Sequence, residues 1–99
     1  MFGADKKVDD GGMVLNVFAV YDKKAQAYFF PSYFTYKGEA LRAFEDQANA
    51  GGSPISKHRA DYALYRLGSF NTKTGELVSC LKPEFVAEAL DFATAKENV

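Results

Sequence analysis

The stretch from Val14 to Asn49 decides the fold, and it reads VLNVFAVYDKKAQAYFFPSYFTYKGEALRAFEDQAN. A strand is predicted from Met13 to Tyr21, because this run is rich in β-branched and aromatic residues and is apolar at both alternating sets of positions. Asp22 to Ala25 predicts a charged turn, since an Asp side chain at the first position can bond the backbone two residues on. A second, antiparallel strand is predicted from Gln26 to Phe30, and Pro31 ends it.

A helix is predicted from Gly38 to Ala50. Its apolar residues fall on one stripe at helical spacing, and they are Ala40, Leu41, Phe44 and Ala48. Glu39 lies in the first turn, where the helix dipole favours an acid, and the pair Gly51-Gly52 supplies a C-terminal stop. The stripe predicts that this face of the helix is buried in the core.

The second half of the chain adds another predicted hairpin. A loop is expected from Ser53 to Asp61, followed by a third strand from Tyr62 to Phe70. The sequence FNTKTGEL predicts a tight turn, with Gly75 supplying the positive φ that closes it. A fourth strand is then predicted from Glu76 to Leu81.

A second helix is predicted to begin at Pro83 and to end near Ala93, because proline suits the first helical position and apolar residues recur after it at helical spacing. The predicted order is β-β-α-β-β-α. This is an α+β domain with a small antiparallel sheet of about four strands, in two hairpins, and two helices. We expect a flexible N-terminal arm over residues 1–12, a single domain over residues 13–93 and a frayed C-terminal tail over residues 94–99.

Composition argues against an enzyme or a metalloprotein. With 99 residues the chain forms one domain. Cys80 is the single cysteine and His58 the single histidine, and nothing in the local sequence pairs them as nucleophile and base. A zinc site would have too few soft ligands, and no Gly-rich phosphate loop is present. We therefore expect no catalytic residue, no metal and no cofactor.

The sequence also predicts a protein without membrane contact. No uninterrupted apolar run approaches the length that a membrane-spanning helix needs. The N-terminus lacks the apolar segment of a signal peptide. A cytoplasmic protein is the expectation.

The middle of the chain combines basic charge with aromatic rings. The formal net charge of the chain is -1, but between Lys23 and Lys73 eight Lys and Arg residues oppose only four Asp and Glu residues. Single-stranded nucleic acid binds where bases stack on exposed rings and cations meet phosphates. The candidate phosphate contacts are Lys23, Lys24, Lys37, Lys57, Arg59 and Arg66, and the candidate stacking residues are Tyr28, Tyr33 and Tyr36.

A different interpretation of the same residues stays open. Basic side chains are often ordinary solvated surface charges, and rings can fill the core or a dimer interface. A first strand that is apolar on both faces favours the second possibility, because its second face then requires a cover, which a partner subunit could supply. We therefore also expect a homodimer.

Three motifs, in order, resemble a known family. The pattern YD-x-KA-x-AY runs from Tyr21 to Tyr28, and G-x-A-x-R-x-F-x-D runs from Gly38 to Asp46. The pattern HP-x-DY…LG-x-F…TG runs from His58 to Gly75, with an Arg in place of the Pro. Together they resemble the small non-structural protein of gokushovirus-type microviruses, which are single-stranded DNA phages. The resemblance covers about Val14 to Leu77, and this chain is more aromatic than the family after Pro31.

The resemblance implies a DNA-binding protein that is absent from the virion and acts in the cytoplasm of the bacterial host. It implies a role when replication turns from double-stranded copying to single-strand synthesis and packaging. The expected partners are single-stranded DNA, a second copy of the chain, and viral replication or packaging proteins. The alternative is a protein–protein interaction module that binds a viral or host protein and makes no contact with nucleic acid.

Overall fold

The computed structural model describes residues 13–92, so the arm and the tail predicted for the two ends of the chain lie outside the described residues. Within this range, five strands and two α-helices follow one another, with two short 3₁₀ turns. The elements are β1 (Val14–Asp22), β2 (Ala27–Tyr28), β3 (Ser32–Phe34), α1 (Lys37–Asn49), α2 (Pro54–Lys57), the first 3₁₀ turn (Arg59–Asp61), β4 (Tyr62–Asn71), β5 (Leu77–Glu88) and the second 3₁₀ turn (Ala89–Phe92).

The strands form one antiparallel sheet with the order β2-β1-β4-β5, and β3 pairs with β1 on the same edge as β2. Two hairpins therefore join through β1 and β4, whose register places Val14 opposite Asn71 and Asp22 opposite Tyr62. The predicted α+β class and the small antiparallel sheet are confirmed. The order of elements differs from the prediction in two places. A third short strand precedes α1, and β5 with a 3₁₀ turn stands in place of the predicted second long helix.

Both predicted turns are confirmed. The Oδ1 atom of Asp22 accepts hydrogen bonds from the backbone N–H groups two and three residues on, at 3.0 and 3.2 Å. The Oδ1 atom of Asn71 does the same in the second hairpin, at 2.9 and 3.1 Å. Gly75 closes that turn with a φ of +79°, a backbone conformation that favours glycine.

The predicted second strand, Gln26 to Phe30, is shorter in the structure, where β2 covers only Ala27–Tyr28, and a separate strand, β3, follows it at Ser32–Phe34. Phe29 still donates its backbone N–H to the carbonyl oxygen of Val20, at 2.8 Å. At Phe30 and Pro31 the chain leaves β1, and it returns to it as β3 at Ser32. Proline has no N–H for the sheet, so the interruption falls where the sequence places Pro31.

The helix predicted from Pro83 to Ala93 is wrong. β5 continues through this segment to Glu88, and only the short 3₁₀ turn follows it. A short apolar run does not distinguish a helix from a strand by its spacing alone. Pairing with β4 decides the outcome, and Pro83 is tolerated because β5 is an edge strand.

The second helix lies in the predicted loop instead. α2 begins at Pro54, and the Oγ atom of Ser53 accepts a hydrogen bond from the backbone N–H of Ser56, at 2.9 Å. The same hydroxyl donates to the carbonyl oxygen of Gln47, at 2.7 Å, near the end of α1. A single serine therefore caps one helix and fastens it to another.

The core lies between α1 and one face of the sheet. Phe18 and Leu64, on paired central strands, are buried with Phe44 of α1. The predicted helical stripe is confirmed, since Ala40 and Ala48 are buried as well. The second 3₁₀ turn packs against this layer through Phe92, whose ring centroid lies 5.9 Å from that of Phe44.

Gly68 marks a β-bulge at which no side chain fits. A β-carbon at this position would overlap the carbonyl oxygen of Val78 on β5, which is backbone and cannot move aside cheaply. We predict that Gly68→Ala lowers the free energy of unfolding by roughly 1–3 kcal/mol. Chemical denaturation of the two proteins measures this difference.

Gly38→Ala is the matched control for that measurement. Gly38 is the second residue of α1, and nothing lies within 4 Å of the position that a β-carbon would take there. The same substitution at this glycine should leave stability unchanged or raise it by up to about 1 kcal/mol. Equal losses at the two glycines would contradict the assigned crowding at Gly68.

Candidate nucleic-acid interface

One face of the sheet is covered by helices, and no helix of residues 13–92 covers the other, which we call the open face. Residues opposite each other on antiparallel strands share a face. Phe18 and Val20 pack on the helix side with Leu64. The alternate residues of β1 therefore point to the open face, as the sequence pattern predicts; they are Leu15, Val17, Ala19 and Tyr21.

Aromatic rings from four strands form a continuous row across the open face. The ring centroids of Tyr28 and Tyr21 lie 4.7 Å apart, and those of Tyr21 and Tyr65 lie 6.1 Å apart. Phe85 extends the row on β5, with its centroid 5.9 Å from that of Tyr65. The row therefore reaches from one edge of the sheet to the other.

A second pair of rings lies farther along the same face. Tyr33 on β3 is opposite Val17 of β1, and its ring centroid lies 5.8 Å from that of Phe70 on β4. A hollow of about 230 Å³ adjoins this pair, and Gly68 and Leu77 are among the residues that line it. Because Gly68 has no side chain, the floor of this hollow is backbone.

The rings stand around a centre of small residues. Ala19 and Ala63 are buried between them although no helix of residues 13–92 lies above. The outer rings keep much of their surface in solvent, with Tyr28 40%, Tyr33 48% and Phe85 55% exposed. Partial burial, and then the neighbouring Tyr65 and Tyr21, raise the pKa of Tyr28 above its ordinary value, and a Tyr hydroxyl is uncharged at neutral pH even without such a shift. The face thus presents neutral rings at its margins.

Two of the predicted cations lie at the end of β1 beside this row of rings. The Nζ atom of Lys23 lies 2.6 Å from the Oε1 atom of Glu88 and donates to the carbonyl oxygen of Ala60 at 3.2 Å. Lys24 is exposed in the adjoining turn, and its ammonium has no hydrogen-bond partner within the described part of the chain. Lys24 is therefore the freer of the two positive charges.

Arg66 lies on the helix-covered face, and its guanidinium bonds other side chains of the fold. Its Nε atom donates to the Oδ1 atom of Asn16 at 2.9 Å. Its Nη1 atom donates to the Oε1 atom of Glu84 at 3.2 Å and to the Sγ atom of Cys80 at 3.1 Å. The guanidinium thus connects β1 and β5 across β4, and its charge is partly neutralised.

The remaining predicted contacts lie in the helical layer. The Nε atom of Arg59 donates to the carbonyl oxygen of Ala48 at 3.0 Å, which satisfies an acceptor at the end of α1. Lys37 begins α1 and Lys57 ends α2, and both are exposed. Tyr36 is the N-cap residue of α1. The structure therefore places Tyr28, Tyr33, Lys23 and Lys24 on or beside the open face and does not bring the other five predicted residues there.

Four rings of the open face are absent from the predicted set, namely Tyr21, Tyr65, Phe70 and Phe85. Two of them could be found from the sequence. Because side chains alternate between the two faces along β1 and β4, Tyr21 and Tyr65 fall on the face opposite to the core residues. Phe85 cannot be found this way, because the spacing of its segment predicts a helix. The pairing of β4 with β5, which sets Tyr65 opposite Phe85, is a long-range property.

These observations define a small two-layer α+β protein with helices on one side of an antiparallel sheet and aromatic rings on the other. A family model described as Phage ORF5 protein matches residues 15–92, which is most of the chain. The chain therefore belongs to the phage ORF5 protein family. Neither the curated proteins nor the solved structures contain a match to it. The expected phage origin is confirmed, while the microvirus assignment and DNA binding stay predictions.

Two searches of the described residues bear on other kinds of site. No group of three or more His, Cys, Asp or Glu side chains in residues 13–92 is arranged to hold a metal ion. No helix in that range is long and apolar enough to cross a membrane.

Arg66→Lys should weaken the sheet, because lysine cannot reproduce the fork that bonds Asn16 and Glu84 together. We expect the free energy of unfolding to fall by about 0.5–1.5 kcal/mol, as measured by denaturant titration. Arg42→Lys on the exposed side of α1 should change it by less than about 0.5 kcal/mol. A similar loss at both arginines would show that the Arg66 contacts contribute nothing specific.

Proposed function

We propose that the protein binds single-stranded DNA on the open face. The observation that carries the proposal is the row of rings from Tyr28 to Phe85, which no helix of residues 13–92 covers, whereas α1 packs on the other face of the sheet. Bases stack on such rings whatever their identity, since every base has a π-face. A paired duplex keeps its bases stacked inside, so the face suits an unpaired strand.

Stacking supplies most of the affinity in this proposal. Each base stacked on an aromatic side chain contributes about 1–3 kcal/mol. Tyr28, Tyr33 and Phe85 are the most exposed rings of the open face, so they are the ones that can accept a base without rearrangement. Tyr21 and Tyr65 contact the ring of Tyr28, and Tyr65 also contacts Phe85. The ring of Tyr33 contacts Phe70.

Lys24 and Lys23 supply the phosphate contacts. Lys24 is free to meet a phosphate, and Lys23 can do so after exchanging its bond to Glu88. Each phosphate neutralised on a single strand contributes about −0.7 to the slope of log affinity against log salt. With few cations at the face, a shallow salt dependence is expected, and stacking dominates.

Family membership and the sequence resemblance together support a role in phage replication. In this proposal the protein is a non-structural protein of a microvirus that acts by binding and not by catalysis. By coating single strands in the host cytoplasm, it would favour single-strand synthesis and packaging over further double-stranded copying. Replication or packaging proteins of the virus would be its further partners.

The test is a titration of the full chain into fluorescently labelled single-stranded DNA and duplex DNA. Wild-type protein should bind the single strand more tightly than the duplex. Tyr33→Ala and Phe85→Ala should each weaken single-strand binding by roughly 5- to 150-fold, which corresponds to one lost stacking contact. No binding by the wild type, or full affinity in both variants, would refute the proposal.

Tyr36→Ala is the matched control for this series. Tyr36 is 50% exposed, close to the 48% of Tyr33, but it lies at the start of α1 and not on the open face. It should retain wild-type affinity. Lys24→Gln should reduce the salt slope by about 0.7 while leaving the discrimination between single strand and duplex intact.

The uncovered apolar face also supports a second candidate, a module that binds another protein. An apolar patch of this kind is typical of protein interfaces as well as of base-stacking surfaces. Affinity purification from infected cells with and without nuclease distinguishes the two. A partner that survives nuclease treatment and is lost in Phe85→Ala, combined with no DNA binding by the purified protein, would favour the interaction module.

A further inference from the structure

Phe30 is the most exposed ring among the described residues, with 95% of its surface in solvent. It lies where the chain leaves β1 between β2 and β3, and Pro31 follows it. The neighbouring Phe29 is only 42% exposed, and its ring contacts Tyr62 with a centroid distance of 5.8 Å. The fold thus anchors Phe29 and presents Phe30 outward.

An apolar pocket of about 230 Å³ opens directly beside this ring. It lies between α1, β1 and the segment from Phe29 to Phe34, on the helix side of the sheet, and Phe30 is itself one of the residues that line it. Phe18, Phe44 and Leu64 form its inner wall, and Ala40 and Ala43 leave space on the helix. Among the residues that the structure describes, Ser32 and Gln47 are the only polar ones that line it. The pocket therefore suits an aromatic or aliphatic side chain.

We propose that two copies of the chain associate by exchanging Phe30, so that the ring of each copy fills the pocket of the other. A projecting ring and an open pocket lie side by side on one surface, which makes that surface complementary to itself. In a dimer with two-fold symmetry, each ring enters the partner's pocket. Both pockets are then occupied, so no third copy can add by the same contact.

Charges around the pocket are complementary in the same arrangement. Glu39 and Asp46 neighbour Ala43 on the surface of α1, at spacings of four and three residues. Lys24 lies in the turn that leads to Phe30 and is unpaired within residues 13–92. The helix α1 carries three acids and two bases, a net negative charge that favours the approach of Lys24 from the partner; they are Glu39, Glu45, Asp46, Lys37 and Arg42. Lys24 is also a proposed phosphate contact, but Phe30 and its pocket lie on the helix side of the sheet, so the exchange of Phe30 does not depend on DNA binding.

The test is sedimentation equilibrium of the full chain over a range of concentrations. Wild type should show a reversible monomer–dimer equilibrium. An interface ring of this kind contributes about thirtyfold to affinity. Because the dimer is symmetric, Phe30→Ser removes a ring from both copies, so it should weaken dimerisation roughly a thousandfold. Circular dichroism should show an unchanged fold, because Phe30 makes almost no contact within its own chain.

Leu81→Ser is the matched control. Leu81 is also fully exposed, but it lies on β5, at the opposite edge of the sheet. Its substitution removes a comparable apolar surface and should leave the dimer intact. Equal weakening of the dimer by Phe30→Ser and Leu81→Ser would overturn the proposal. A wild-type protein that stays monomeric would also overturn it, and the pocket would then be a site for a different protein or a small apolar molecule.

Ala43→Leu gives an independent route, because it fills the pocket and leaves Phe30 in place. This variant should also be monomeric. Mixing it with Phe30→Ser restores one functional insertion, since one chain offers the ring and the other offers the open pocket. The mixture should therefore dimerise about thirtyfold more tightly than either variant alone. A mixture no tighter than its components would rule out ring exchange.

Discussion

The antiparallel pairing of β1 with β4 is the constraint on which the rest of the structure depends. It joins the two hairpins and places the two central strands of the sheet side by side. On one face it sets Val20 opposite Leu64, which gives α1 a surface to pack on. On the other face it sets small residues next to large ones, with Ala19 opposite Tyr65 and Ala63 opposite Tyr21. One pairing register thus specifies both the core and the open face.

Both faces of the sheet carry aromatic rings, but the rings on one face are buried against a helix and those on the other are partly exposed to solvent. On the helix-covered face, Phe18 and Phe44 are buried among smaller apolar residues, and this burial stabilises the domain. Four of the six rings assigned to the open face are Tyr, and a Tyr ring tolerates solvent because its hydroxyl is polar. Antiparallel sheets usually place polar residues on a face that meets water, and the rings of the open face depart from this pattern, which supports the proposal that this face binds a partner.

Local signals are enough to predict β1, both turns, α1 and the α+β class. Each depends on residues close in sequence, such as Asp22 bonding its own turn or the apolar stripe of α1. The full length of β5 cannot be predicted, because its later apolar spacing fits a helix and only pairing with β4 makes it a strand. Counting charges in the sequence also assigns some residues wrongly to the candidate site. The count identifies basic residues but does not show which of them bond other groups of the fold. Arg66 and Arg59 are basic residues whose side-chain donors bond groups of the fold itself.

The two proposed surfaces lie on different sides of β1, and this allows them to reinforce each other. Phe30 and its pocket are on the helix side, while Tyr28 and Tyr33 face the other way from the same edge of the sheet. A dimer formed by ring exchange would therefore leave both open faces uncovered. A single strand long enough to reach both faces would bind the second site intramolecularly, at a high effective concentration. Long strands would then be favoured over short ones without any additional contact, which is the discrimination that a protein coating viral single strands requires.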